Sequence, residues 1–248
     1  MILEADRVAA FWLATERIGA ADWPRLASLL DEAERRRAAR FHFERDRQVY
    51  IAAHALLRAT LSGLTGRAPQ DWRFAVDDYG KPEAILLPGE PPLRANLSHT
   101  RGLAAVAVTL ERDLGVDVEW LERGGSTLEI ADRFFAPAEC RQLAAVPRER
   151  VEATFLAFWT LKEAYIKAVG QGLSLPLDAF AFTLDPAGQP LAIGFLPPIV
   201  DEPLHWLFRR FRPGPAHALA VAVRDPDPAR LTVTAAPADL AALLALAD

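Results

Sequence analysis

The chain has 248 residues, 51% of them hydrophobic, and a net charge of −5 at neutral pH. Such a length and apolar content suit one large domain or two small ones with a substantial core, and the acidic balance argues against nonspecific nucleic-acid binding, which needs surplus Lys and Arg. The single cysteine, Cys140, excludes an internal disulfide framework and favours a reducing compartment. No uncharged apolar run approaches the roughly 18 residues of a membrane span, and the first residues lack a basic-then-apolar signal pattern. A cytoplasmic protein with no membrane partner is expected.

In chain order, residues 8–13 read as a short strand. Helical character begins at Ala21 and covers 26–30 and then 31–41 (DEAERRRAARF). In that run Asp31, Glu32 and Glu34 precede Arg35, Arg36, Arg37 and Arg40, the order that the helix dipole favours. Taken alone, this basic stretch reads as a solvated helix face. A second helix spans 46–62 and ends near Gly63 and Gly66. Residues 74–82 (FAVDDYGKP) and 182–190 (FTLDPAGQP) then place Phe, Asp, Gly and Pro at the same offsets, as two strand–turn–strand units would. Residues 103–108 (LAAVAV) are echoed by 219–223 (LAVAV). Two copies of helix, hairpin and core strand predict an α+β protein of two similar halves, 1–112 and 113–248. The Pro-rich segments 88–92, 197–203, 213–215 and 226–228 are expected as loops. The tail from Pro237 is expected as a helix capping the second half.

The most informative stretch is 154–169, a helix that Gly170 and Gly172 stop. Phe155, Phe158, Trp159, Leu161, Tyr165, Ile166 and Val169 form a wide apolar arc, and the opposite side holds small residues, so no solvated face is left. Its charges are Lys162, Glu163 and Lys167. A snorkelling lysine with an i,i+4 Glu–Lys pair is one reading. On a helix buried nearly all round, charges that are used or paired are the other. Of the 28 basic residues only Lys81, Lys162 and Lys167 are lysines, and two of those stand on this helix.

Residues 114–120 (LGVDVEW) read as a strand whose period of two sets Asp117 and Glu119 on one face and Val116 and Val118 on the other. Two carboxylates about 6.6 Å apart repel, and flanked by Val and Trp they call for a cation. If Glu163 joins them, three carboxylates make a hard-metal site that suits Mg²⁺ with substrate phosphate. Residues 96–100 (NLSHT) are a polar group ahead of the 103–108 strand. Their spacing fits no nucleophile elbow, whereas a Ser hydroxyl and an imidazole presented together can bind phosphate oxygens.

Taken together, 115–119 (GVDVE), 159–177 (WTLKEAYIKAVGQGLSLPL), NLSHT, YGKP (79–82), 133–139 (RFFAPAE) and 41–47 (FHFERDR) resemble the 4′-phosphopantetheinyl transferases of the surfactin-synthetase-activating (Sfp) type. The resemblance implies a pseudo-twofold pair of α+β halves with the active site between them. It implies transfer of the phosphopantetheine arm of coenzyme A to a serine of an apo acyl- or peptidyl-carrier protein, releasing adenosine 3′,5′-bisphosphate. It carries Asp117, Glu119 and Glu163 over as Mg²⁺ ligands, Glu163 also as general base, and Lys167 as the contact to the transferred phosphate. Ser98 and His99 become coenzyme A contacts, with His99 near the 3′-phosphate; Lys81 and Pro82 contact the adenine end, and Arg37 is a second phosphate contact. Glu34 stands where some members have lysine, and Gln48 and Val49 where many have arginine. A monomer is expected, since the duplicated halves supply their own interface. A Mg²⁺-dependent phosphohydrolase and a non-catalytic nucleotide-binding or structural protein are the rival readings, and fatty-acid, polyketide, nonribosomal-peptide and aminoadipate-reductase carriers all remain open.

Overall fold

A computed structural model describes residues 3–76, 81–121 and 127–247 of the chain. Strand β1 (Arg7–Ala14) leads to two short helices, α1 (Trp23–Ser28) and α2 (Glu32–Ala38). A reciprocal capping box starts α2: Asp31 accepts from the Glu34 backbone N–H, and Glu34 accepts from that of Asp31. Two N–H groups that every helix start leaves open are thus satisfied. Helix α3 (Glu44–Thr65) stops at Gly66 in the left-handed conformation. The hairpin of β2 (Phe74–Val76) and β3 (Pro82–Ala84) follows. Its turn, including Tyr79 and Gly80 of the YGKP motif, lies outside the described residues.

Next come β4 (Leu93–Thr100), β5 (Leu103–Leu110) and β6 (Leu114–Trp120), then helices α4 (Thr127–Phe134), α5 (Pro137–Ala145) and α6 (Val151–Val169). A second hairpin, β7 (Phe180–Leu184) with β8 (Pro190–Phe195), precedes β9 (Trp206–Gly214) and β10 (His217–Arg224). Strand β11 (Thr232–Pro237) and helix α7 (Leu240–Leu244) close the chain. Helix, hairpin and core strands therefore recur in one order, as the sequence echoes predict. Among the described residues, no helix is long and apolar enough to cross a membrane.

The strands form two principal sheets, β11-β1-β5-β4 and β6-β10-β9. Each has a helix on one face. Leu13, Val106 and Val108 of the first sheet pack with Leu56, Leu57 and Leu61 of α3. Ala220, Ala222 and Phe208 of the second pack with Phe158, Leu161 and Tyr165 of α6. The remaining faces meet through Val8, Ala105 and Ala107 on one side and Val116, Val118 and Val221 on the other. The α+β class and the twofold repetition follow from these layers, and small side chains in 103–108 and 219–223 let the two sheets approach.

The tail departs from expectation. Strand β11 pairs in parallel with β1 over Arg7–Trp12, and Leu243 and Leu244 of α7 enter the core around α3. The last residues therefore complete the first sheet instead of capping the second half. An outer strand of Thr and Ala (TVTAAP) has little apolar surface of its own and gains its place by extending an existing sheet. Pro213, expected in a loop, lies in β9.

Candidate active site

Strands β4 and β6 are edges of the two sheets, and side chains join them. Period two places Asn96 and Ser98 on one face of β4. Asn96 Oδ1 accepts from Val116 N at 2.9 Å, and Ser98 Oγ accepts from Val118 N at 3.3 Å. Two N–H groups of an edge strand are thereby satisfied inside the protein. The same period turns Val116 and Val118 of β6 into the layer between the sheets and directs Gly115, Asp117 and Glu119 toward α6.

Gly115 sets the distance to that helix. A Cβ there would lie 2.0 Å from Ala164 O and 2.6 Å from Ala168 N, so a side chain at this position is incompatible with the observed packing. With α6 held this close, Lys167 Nζ donates to Asp117 Oδ1 at 2.7 Å and to Ser98 Oγ at 2.8 Å. Ser98 donates to Asp117 Oδ1 at 2.9 Å. The hydroxyl thus spends its single hydrogen on Asp117 and accepts from both Lys167 and Val118, which is its full capacity.

Asp117 is 4% exposed, and its other oxygen, Oδ2, is buried with no hydrogen-bond partner. A buried carboxylate oxygen without a partner is costly and is a ready ligand for a hard cation. The donor set fits Mg²⁺ held by one or two carboxylates and completed by water and substrate oxygens. Among the described residues no group of three or more Asp, Glu, His or Cys side chains is placed to hold a metal ion. Glu119 follows two residues after Asp117 on its strand, Glu163 precedes Lys167 by one helical turn, and both are half-buried.

Ser98 and His99 are not presented together. They lie within β4, and alternation turns His99 to the α3 side while Ser98 faces β6. His99 is exposed at the surface. Even so, the protein mass around its ring, followed by the charges of His54, Lys167 and Arg37, holds its imidazole below the ordinary range. A local field of that sign favours an anion. Arg37 stands exposed on α2, with its guanidinium 5.7 Å from the centre of the Tyr50 ring. With Arg36, Arg40 and Phe41 it borders an open cavity of about 590 Å³. Lys81 reaches from the first hairpin to the second sheet and its helix: Nζ donates to Leu114 O at 3.4 Å and Ala168 O at 3.1 Å. Pro82 opens β3 beside it.

The departure at Glu34 has a structural explanation. Its carboxylate sits 2.8 Å from His54 Nδ1 and accepts from Arg58 Nε at 2.7 Å. Arg58 is fully buried and also donates to Asp31, Pro69 O and Trp72 O. Burial works against charge on Glu34, but the bonds from His54 and Arg58 outweigh it and bring its carboxyl down to about 2. Glu34 locks α2 onto α3. Lys162 is likewise structural: it does not snorkel to the surface but is buried at 1% exposure. Its Nζ pairs with Glu139 at 2.7 Å and donates to Leu177 O and Phe180 O, each at 2.7 Å.

Asn96, Gly115, Arg58 and Glu139 were not singled out by sequence. Period-two polar residues in NLSHT, read as a strand, would have pointed to Asn96 and Ser98 together. Arg58 carries no local signal, and Glu139 carries only that of a residue accepting from Ala136 N at the start of α5, because their ion-pair partners lie far along the chain.

Comparison with known proteins agrees with this geometry. Residues 17–111 match the family model described as 4′-phosphopantetheinyl transferase, N-terminal, and residues 113–222 match that of the 4′-phosphopantetheinyl transferase superfamily. A 4′-phosphopantetheinyl transferase of Bacillus subtilis is 30% identical over 85% of this chain and 89% of its own length. The transferase Sfp of the same species is 30% identical over 82% and 86%. The transferase HetI of Nostoc sp. is 37% identical over 65% of this chain and 68% of its own. With the two family models matched in succession over residues 17–111 and 113–222 and Sfp among these relatives, the chain belongs to the 4′-phosphopantetheinyl transferase superfamily and is an enzyme of the Sfp type.

Proposed function

We propose that this enzyme transfers the 4′-phosphopantetheine group of coenzyme A to a serine of an acyl- or peptidyl-carrier protein, with Mg²⁺ bound, as a monomer of two halves, 1–112 and 113–248. The observation that carries this reading is the cluster of Ser98, Asp117 and Lys167 where β4, β6 and α6 meet, with one buried carboxylate oxygen left open. Asp117, Glu119 and Glu163 would hold Mg²⁺, which when bound neutralises charge on the diphosphate of coenzyme A.

The chain's own groups supply the rest. Lys167 sits where an ammonium can meet the phosphate under transfer and stabilise the charge developing on it. Glu163, on the same helix face, takes the proton of the incoming carrier serine. The serine oxygen forms a new P–O bond as the bond to adenosine 3′,5′-bisphosphate breaks, and that product leaves with the electron pair. Ser98 holds Lys167 and Asp117 in register. We assign His99 and Arg37 to the 3′-phosphate, which the positive charges acting on His99 support, and Lys81 with Pro82 to the adenine end.

Incubation with coenzyme A, Mg²⁺ and an apo-carrier protein tests the reading. Phosphopantetheine attached to the carrier is the expected result. Free phosphopantetheine would indicate hydrolysis to water instead, and no turnover would overturn the proposed transfer. Light scattering that finds a concentration-independent dimer or trimer would remove the monomer from the reading.

A further inference from the structure

Another polar cavity, of about 520 Å³, lies where the start of α6, the turn between β7 and β8, and β9 meet. Its wall includes Glu149, Arg150, Thr154, Gln189, Arg210 and Arg212. From Ala157, also on this wall, ten residues of helix lead to Lys167, roughly 15 Å along the axis. The cavity is therefore separate from the Ser98–Asp117–Lys167 cluster.

Its arginines are only partly accounted for by the chain. Arg150 donates to Pro186 O and Arg210 Nη1 to Gly188 O, bonds that brace the β7–β8 turn and use one of the five donors of each guanidinium. Gly188 has a φ of +79°, and a Cβ there would come within 2.8 Å of the Arg210 guanidinium, so the turn is pressed against it. Arg210 Nε is buried and has no hydrogen-bond partner. Burial, and then repulsion from Arg212, bring the Arg210 guanidinium down to about 10, with Asp185 opposing. Among the described residues, none of the three arginines makes an ion pair, and Glu149 is the one carboxylate on the wall. A buried charged donor without an acceptor, beside a like charge, is a deficit that the fold alone does not resolve.

We infer that this cavity binds a phosphate-bearing small molecule, independently of the coenzyme A site. Its volume is that of a small-molecule pocket. The Arg fork matches phosphate oxygens bidentately, and a multivalent oxyanion supplies both the acceptor that Arg210 Nε lacks and the charge that holds Arg210 and Arg212 together. Inorganic phosphate and a nucleoside phosphate share this chemistry.

Calorimetric titration and thermal melts with inorganic phosphate, and separately with adenosine monophosphate, test the site. Phosphate should bind saturably and raise the melting temperature of wild type and of Lys167→Ala alike. Arg210→Gln and Arg212→Gln should each weaken binding at least about tenfold, as loss of a charge-assisted hydrogen bond does. Arg212 is exposed, so its replacement leaves a folded protein even if Arg210→Gln does not. Equal affinity for the two probes identifies the phosphoryl group as the ligand, and tighter binding of the monophosphate adds the nucleoside. A response lost in Lys167→Ala but kept in Arg212→Gln, or no saturable binding at millimolar phosphate, overturns the inference.

Discussion

Helix α6 carries two lysines five positions apart, and each pairs with a carboxylate at 2.7 Å. In every other respect the pairs differ. Lys162 and Glu139 have side chains 1% and 0% exposed. All three ammonium donors are used, on Glu139 and two carbonyls. Both Glu139 oxygens are used as well, accepting from Ala136 N and Phe182 N. Burial pushes the Glu139 carboxyl up and the Lys162 ammonium down, and each charge opposes the shift of the other. Lys167 is 28% exposed, and its partner Asp117 keeps a buried oxygen with no bond at all. A saturated pair has nothing left to offer a ligand and serves to fix the fold. An unsaturated pair with a partly exposed cation has capacity in reserve. Saturation separates the two pairs here, where residue type does not.

The comparison breaks first at Lys162. Lys162→Met should destabilise the protein by about 3–5 kcal/mol, because Glu139 would keep a buried charge with no cation. Denaturant melts measure this, and a loss below about 1 kcal/mol would show that the pair is not saturated in solution.

Asp117→Asn should act in the opposite sense. Its stability loss should be about 1 kcal/mol, since Lys167 is partly exposed and the amide still accepts from Ser98 or Lys167. Transfer, under the proposed function, should fall about 100- to 1,000-fold. Lys167→Ala should likewise lose more in kcat than in coenzyme A affinity. An Asp117→Asn enzyme that melts far below wild type yet keeps its transfer rate would make Asp117 structural, like Glu139.

The network of Glu34, Arg58 and Asp31 extends the saturated class to the first half. Glu34 has its carboxyl depressed to about 2 in the folded protein, against about 4.3 when unfolded. The stabilisation is fully present above the unfolded value and is lost as pH falls from there through about 2, amounting to about 3 kcal/mol. Glu34→Gln should flatten the wild-type decline in stability over that acid window, measured by melts at each pH. An unchanged slope would show that Glu34 does not carry it.

Gly115→Ala should cost about 1–3 kcal/mol from forced separation of β6 and α6. It sharpens the comparison because Lys167 reaches Asp117 only across that contact, while Lys162 does not depend on it. Fluorescence melts together with transfer assays should show activity falling by more than the stability loss explains. Equal activity would mean that the spacing is not what sets the open pair.

Local chemistry was enough for some of these features. The capping box at Asp31 and Glu34, the α6 stop at Gly170, the alternation of Asp117 with Val116 and Val118, and the recurrence of helix, hairpin and strand all depend on neighbours within a few residues. Backbone stereochemistry and side-chain period express such information directly in the order of residues. The motifs also suffice to identify the family. The helical projection set Lys162 inside the apolar arc and Lys167 at its edge, and the family motif singled out Lys167. The partner of neither was legible, since Glu139 and Asp117 stand on other elements.

Tertiary structure decided the rest. It made Lys162 a core residue by bringing Glu139 and the carbonyls of Leu177 and Phe180 to it. It turned Ser98 and His99 to opposite faces and set Asn96 and Ser98 against the β6 backbone. It also sent the last strand back to β1 across more than two hundred residues. Each outcome depends on which distant groups remain unsatisfied once the local elements have formed. That balance of burial and hydrogen bonding exists only after the chain has packed.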